Sequence, residues 1–179
     1  MGRIFHGTTW DNYQNILANG FGGKRVWVCS DTSVTYGYDA AKNDETGNDD
    51  YLISQAFESA KLAAAAQNYL GEKLVVLELV ADDELIHDDD SCPNMDDIAS
   101  YIENDKLSKA NIAKVWIADN GYNPAFKLFY IMGVVVANDM FNTDCIPYAE
   151  QEACKQLRIS GVEIYDIYET DWRLYECSA

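Results

Sequence analysis

The sequence predicts a mixed α+β fold in one domain, with helices early and strands concentrated late. Three observations lead there. Segments with apolar residues at helical spacing are interleaved with short β-branched and aromatic runs. No internal repeat and no Pro-rich linker divides the chain. With 48% hydrophobic residues among 179, the chain has enough apolar material for a core at a length that suits one domain.

Residues 3–6 read as a first strand. Trp10, Tyr13, Ile16 and Leu17 then fall at helical spacing, with Thr9 or Asp11 able to cap the start and Gly20 the end. Phe21 is expected to pack back, and Gly22-Gly23 to turn the chain into a strand at 26–29. Asp31 or Thr32 opens a second helix through Val34, Tyr38 and Ala41, and the polar run 43–50 (NDETGNDD) reads as a loop. Ile53, Ala56, Phe57, Ala60, Ala63 and Ala64 mark a long helix closed at Gly71. Residues 74–80 (LVVLELV) form a strand, and 82–90 (DDELIHDDD) a solvated acidic rim loop with His87 exposed in it. A short helix near 95–103, a strand at 115–118 and a Gly-Tyr-Asn-Pro turn at 121–124 follow. Strands are expected at 126–131 and 134–137, a helix at 148–157, and a half-buried alternating strand at 162–168. Residues 172–175 suit an edge strand.

The charge balance excludes several functions. Thirteen Lys and Arg stand against 30 Asp and Glu, a net charge of −17, so most of the surface repels phosphate backbones. A local pocket for one nucleotide is compatible with that charge; a duplex-binding stripe is not. No segment approaches the roughly 18 consecutive apolar residues of a membrane span. The opening MGRIFHGTT lacks the apolar core of a secretory signal, and His6 stands where a myristoylation signal needs Ser or Thr, so a cytoplasmic protein away from membranes is expected. Five widely spaced cysteines without a CxxC read as free thiols, and two histidines without HExxH give no metal centre.

The chemistry-bearing part is the first forty residues. His6-Gly7-Thr8 follows a strand, a helix closes at Gly20-Phe21, and VWVCSDTSVTYGY continues through a strand into a helix. This order resembles the NAD-binding half of ADP-ribosyltransferases of the His-Tyr-Glu type, the group of diphtheria-like toxins and poly(ADP-ribose) polymerases. The resemblance implies two packed, antiparallel-rich sheets with peripheral helices over residues 1–179, and NAD as cosubstrate without a metal. By position on the family's HG[ST] motif, His6 bonds the ribose hydroxyls, the Gly7 backbone holds the nicotinamide carboxamide, and Thr8 completes the motif. Trp27 takes the place of an aromatic beside the nicotinamide ring, where the family norm is Tyr. Thr35 takes that of the hydroxyl on the carboxamide, and Tyr38 that of the stacking tyrosine, with Tyr36 as a second candidate.

These residue types suit the chemistry. NAD cleavage passes through an oxocarbenium-like state, which calls for a held nicotinamide, a fixed ribose and a carboxylate near the developing charge. Flat aromatic faces favour the cationic nicotinamide ring. The resemblance puts the carboxylate at the start of a late strand, and Glu163 in GVEIYDIY fits it. Alternation sets Glu163, Tyr165 and Ile167 on one face and Asp166 on the other, with Glu169 and Asp171 as weaker alternatives. Each residue also has a structural reading: a core histidine, core aromatics, an exposed strand acid. Gly22-Gly23-Lys24-Arg25 is a surface turn or a pyrophosphate contact but not a P-loop, and 82–90 lacks EF-hand spacing.

The function expected from the resemblance is mono-ADP-ribosylation of an intracellular protein or nucleic acid, in the manner of a bacterial or phage toxin or effector. Glu163 and His6 would be its catalytic residues. An NAD glycohydrolase and a non-enzymatic acidic binding or decoy protein are the alternatives. The related RNA 2′-phosphotransferases need more cationic side chains than this chain offers. A net charge of −17 favours a basic or antitoxin-like protein partner.

Overall fold

β3 (Leu74–Ala81) is the strand around which the others are arranged. All but one of its eight residues are buried, as befits a run that is apolar except for Glu78 and covered on both faces. It pairs antiparallel with β1 (Gly2–Thr9) on one side and with β6 (Ile112–Ala118) on the other. β7 (Arg173–Cys177) pairs with β6 and, among the described residues, ends the order β1-β3-β6-β7. A second antiparallel sheet has the order β2-β5-β4, from β2 (Arg25–Val28), β5 (Ala99–Glu103) and β4 (His87–Asp89). The structure, a computed structural model, describes residues 2–29, 45–89, 99–123, 127 and 170–177.

Strand alternation sends Phe5 to one face of the first sheet and Ile4 to the other. On the Phe5 face lies α2 (Glu45–Ala66), whose Leu52, Ile53, Ala56, Phe57 and Ala60 are buried against Phe5, Leu74 and Val76. On the Ile4 face, Val75, Leu77, Val115 and Ile117 meet Tyr13 and Ile16 of α1 (Trp10–Asn19) and Val26, Val28 and Ile102 of the second sheet. The fold is therefore α+β, with two antiparallel sheets packed on each other and two helices among the described residues. Burying a side chain such as Phe57 contributes about 1.5–3 kcal/mol.

The buried charged groups in this core are paired, whereas Trp116 Nε1 and Tyr122 OH are buried without a hydrogen-bond partner among the described residues. Glu78, only 5% exposed in β3, has its register neighbour Lys114 with Nζ 3.8 Å from Oε2. Lys61, fully buried on α2, donates to Glu58 Oε1 and to Thr170 Oγ1, each at 2.7 Å. Burial lowers the Lys61 pKa and the Glu58 carboxylate opposes that shift. Together with the stack of Phe57 on Trp172, centroids 5.7 Å apart, this contact fastens α2 to the segment entering β7.

α1 begins and ends where its capping residues predict. Thr9 Oγ1 accepts from the Asn12 N–H at 3.1 Å, and Gly20, at φ 84°, donates its N–H to the Ile16 carbonyl. Phe21 packs into the core as expected, while Leu17 is left 39% exposed.

Several expectations are corrected. Among the described residues, strands run from residue 2 onward. The expected loop at 43–50 is helical from Glu45, because the dipole of a helix favours acidic residues in its first turn. The expected helix at 95–103 ends instead in β5, whose pairing with β2 on one side and β4 on the other outweighs local propensity. The acidic loop at 82–90 is a short 3₁₀ turn at Asp83–Leu85 followed by β4. Within the expected strand 126–131, Lys127 instead donates its N–H to the Asn123 carbonyl, a helical turn. The helix through Val34, Tyr38 and Ala41, the strands at 134–137 and 162–168 and the helix at 148–157 lie outside the described residues.

Candidate nucleotide site at the seam between the sheets

Among the described residues the two sheets touch edge to edge at one point. Phe5 of β1 exchanges both backbone hydrogen bonds with Cys29, at 2.9 and 2.7 Å, in a single isolated bridge. Continuing that register would set Gly7 opposite Trp27, yet the ladder stops at the bridge. Backbone groups in an antiparallel strand alternate between its two edges. Gly7, two residues beyond Phe5 and itself buried, therefore turns its N–H and C=O away from β3, toward an edge that no described strand covers. An amide donor and an amide acceptor side by side are what a carboxamide group would need.

His6 closes the same seam. Its Nδ1 lies 2.7 Å from the backbone carbonyl oxygen of Trp27. A carbonyl only accepts, so Nδ1 carries the proton, and the neutral ring presents Nε2 as an acceptor. Nε2 has no protein partner among the described residues. The ring also meets Phe21 edge-on, with centroids 6.1 Å apart. Burial pushes the His6 pKa below 6.5, and the Trp27 carbonyl partly opposes this. The group is thus a neutral, oriented acceptor near neutral pH, suited to a hydroxyl donor such as a ribose 2′- or 3′-OH. β1 continues past the expected strand end to Thr9, but on the seam side its pairing ends at Phe5, so His6 and Gly7 still sit where a strand edge opens.

Gly7 is also fixed by packing. A Cβ at this position would lie 1.7 Å from the Ala56 carbonyl oxygen of α2 and 2.7 Å from its carbon. Only glycine lets helix and strand approach this closely. Thr8 is 3% exposed and its Oγ1 accepts from Asn12 Nδ2 at 3.1 Å, an amide that also donates to Gln67 Oε1 at 2.9 Å. Its hydroxyl serves to tie β1 to the first turn of α1.

Trp27 contributes differently from the expected ring contact. Val26 and Val28 face the core, so alternation turns the Trp27 ring to the outer face of the second sheet, where it is 45% exposed. There it meets Tyr101 edge-to-face, centroids 5.4 Å apart, while its carbonyl holds His6. No ring contact joins it to His6 among the described residues. The Gly22-Gly23 turn is exposed, and the Arg25 guanidinium lies 4.3 Å from the Tyr101 ring centre. Thr35, Tyr36, Tyr38 and Glu163 lie outside the described residues, as do Asp166 and Glu169. Asp171 is exposed just ahead of β7.

The Trp27 carbonyl and the Tyr101 ring are the parts that sequence reasoning missed. A backbone acceptor has no residue identity to read, and the local sequence around Tyr101 predicts a helix. The matching alternation of residues 25–28 and 100–103 is the signal that could have paired them.

A cavity of about 180 Å³, lined by Tyr13, Lys109 and Glu176 among others, contains none of the candidate residues. The Tyr13 hydroxyl donates to Glu176 Oε2 at 3.2 Å, and burial first, then that carboxylate, push its pKa up to about 12. Among the described residues no three His, Cys, Asp or Glu side chains converge as a metal site, and no helix is long and apolar enough to cross a membrane. No family model, curated protein or solved structure matches the chain.

Proposed function

We propose that the protein is an NAD-dependent mono-ADP-ribosyltransferase acting on an intracellular macromolecule. The observation that carries this reading is the neutral His6, held by the Trp27 carbonyl with Nε2 unpartnered among the described residues, beside a buried Gly7 whose amide groups face an edge that no described strand covers. Bound there, NAD would supply an activated glycosidic bond: it breaks with its electron pair leaving on nicotinamide, and an acceptor nucleophile bonds to the ribose carbon and gives up a proton.

The chain's own residues would do three things. His6 Nε2 accepts from a ribose hydroxyl and fixes the sugar. The Gly7 N–H and C=O hold the carboxamide, with Thr35 as a further hydroxyl and Tyr36 or Tyr38 against the ring. Glu163 stabilises positive charge on the sugar, which is fullest in the transition state. The compact, strongly acidic chain suits a toxin or effector whose target or neutralising partner is basic.

The test is incubation with NAD labelled on the adenylate, with and without cell lysate, followed by protease and nuclease digestion. Nicotinamide release that depends on lysate, with label fixed to macromolecule, is the expected result. Release without any acceptor would make the protein an NAD glycohydrolase. Absence of turnover would leave the acidic binding protein.

A further inference from the structure

The second sheet has one face in the core and one in solvent. Ser100 and Ile102 of β5 and Val26 and Val28 of β2 are buried, so the opposite face carries Arg25, Trp27, Tyr101 and His87. Three of these are in register across the strands: Trp27 opposes Tyr101, and Tyr101 opposes His87. Their rings form a continuous strip, 5.4 Å from Trp27 to Tyr101 and 5.2 Å from Tyr101 to His87. A Trp left 45% exposed in a strip of this kind offers apolar, electron-rich surface to solvent.

The strip already receives a cation from its own chain, since the Arg25 guanidinium sits 4.3 Å from the Tyr101 ring centre. Its surroundings are acidic. Glu103 stands opposite Arg25 in the register, and the exposed Asp82, Asp83 and Glu84 form the turn leading to His87. Over the whole chain the net charge is −17. Aromatic faces and nearby carboxylates attract the same ligand, a guanidinium or ammonium group, and together repel a phosphate backbone.

We infer that this outer face docks a basic segment, rich in arginine or lysine, of the protein that accepts ADP-ribose. Its position supports that role: the Trp27 ring lies on the strip and the Trp27 carbonyl holds His6, so one residue borders both surfaces. The word acceptor rests on the transferase reading; the docking does not.

The experiment titrates an octapeptide of alternating Arg and Lys into the full chain without NAD, and measures NAD binding separately. Charge alone gives some affinity, so the informative arm is the aromatic one. Tyr101→Leu should weaken peptide binding roughly five- to tenfold and Tyr101→Phe should preserve it. His87→Ala, at an exposed position where folding is not at risk, should weaken it about two- to threefold. Raising salt should weaken the parent and the leucine variant alike and leave the difference between them, because both keep the same carboxylates. Equal affinity for parent, Tyr101→Leu and His87→Ala would overturn the proposal. So would Tyr101-dependent binding of a single-stranded oligonucleotide in place of the peptide. Tyr101-dependent peptide binding by a chain that does not bind NAD would uphold the docking surface and remove the transferase reading.

Discussion

His6 and Trp27 are joined by a hydrogen bond from an imidazole Nδ1 to a backbone carbonyl, 2.7 Å long, across the seam where the two sheets part. Twenty-one residues separate them in the chain, and the bond needs only the carbonyl of residue 27. It gives the ring one tautomer and one orientation. Holding the histidine therefore sets no side chain at position 27, and the indole is left for the outer face.

The tautomer has a pH signature. Burial holds the His6 pKa below 6.5, so below that value the unfolded chain takes up a proton more readily than the folded one. The contribution of His6 to stability is intact above about pH 6.5 and is lost as pH falls through its folded-state value. In a His87→Ala background, NMR titration of the remaining imidazole should show a midpoint under 6.5 with the proton on Nδ1 below saturation. His6→Gln should flatten the parent's decline in stability over that window. A midpoint at or above 6.5 would contradict the burial argument.

Gly7→Ala should destabilise the protein by roughly 2–4 kcal/mol in denaturant titration, by overpacking against α2. The obstacle is the Ala56 main chain, 1.7 Å from the new Cβ, so adding Ala56→Gly should not restore stability. Recovery in the double variant would show that helix and strand are less closely apposed.

How much of this was legible in the sequence differs from residue to residue. Thr9, Gly20 and Phe21 announced α1 and its ends because capping is a local, side-chain-coded event. β3 was legible because a strand buried on both faces is apolar at nearly every position, here all but Glu78. β5 was not, since Tyr101 becomes a strand residue through Trp27 on one side and His87 on the other, contacts made 74 and 14 residues away. Gly7 was legible as a glycine that matters, but its steric cause, α2, lies some fifty residues downstream. His6 stood out by its motif, whereas its partner carbonyl left no mark in the sequence.

Glu163 carries the prediction that depends most on the resemblance. Glu163→Gln keeps size and hydrogen bonding and removes the charge, so kcat should fall roughly a hundredfold or more with little change in NAD affinity. Asp166→Asn, on the opposite face of the expected strand, should be nearly silent. Full activity in Glu163→Gln with loss in Asp166→Asn would mean that the strand register is shifted by an odd number of residues.

The account turns on whether the seam at His6 and Gly7 takes NAD, and isothermal calorimetry of NAD into parent and His6→Ala measures that most directly. The account predicts a one-to-one complex in the parent and an affinity at least about tenfold weaker in His6→Ala, the size of one lost, partly buried hydrogen bond. Matching unfolding midpoints would attribute the loss to the site. No binding by the parent, or equal affinity in the two proteins, would contradict it.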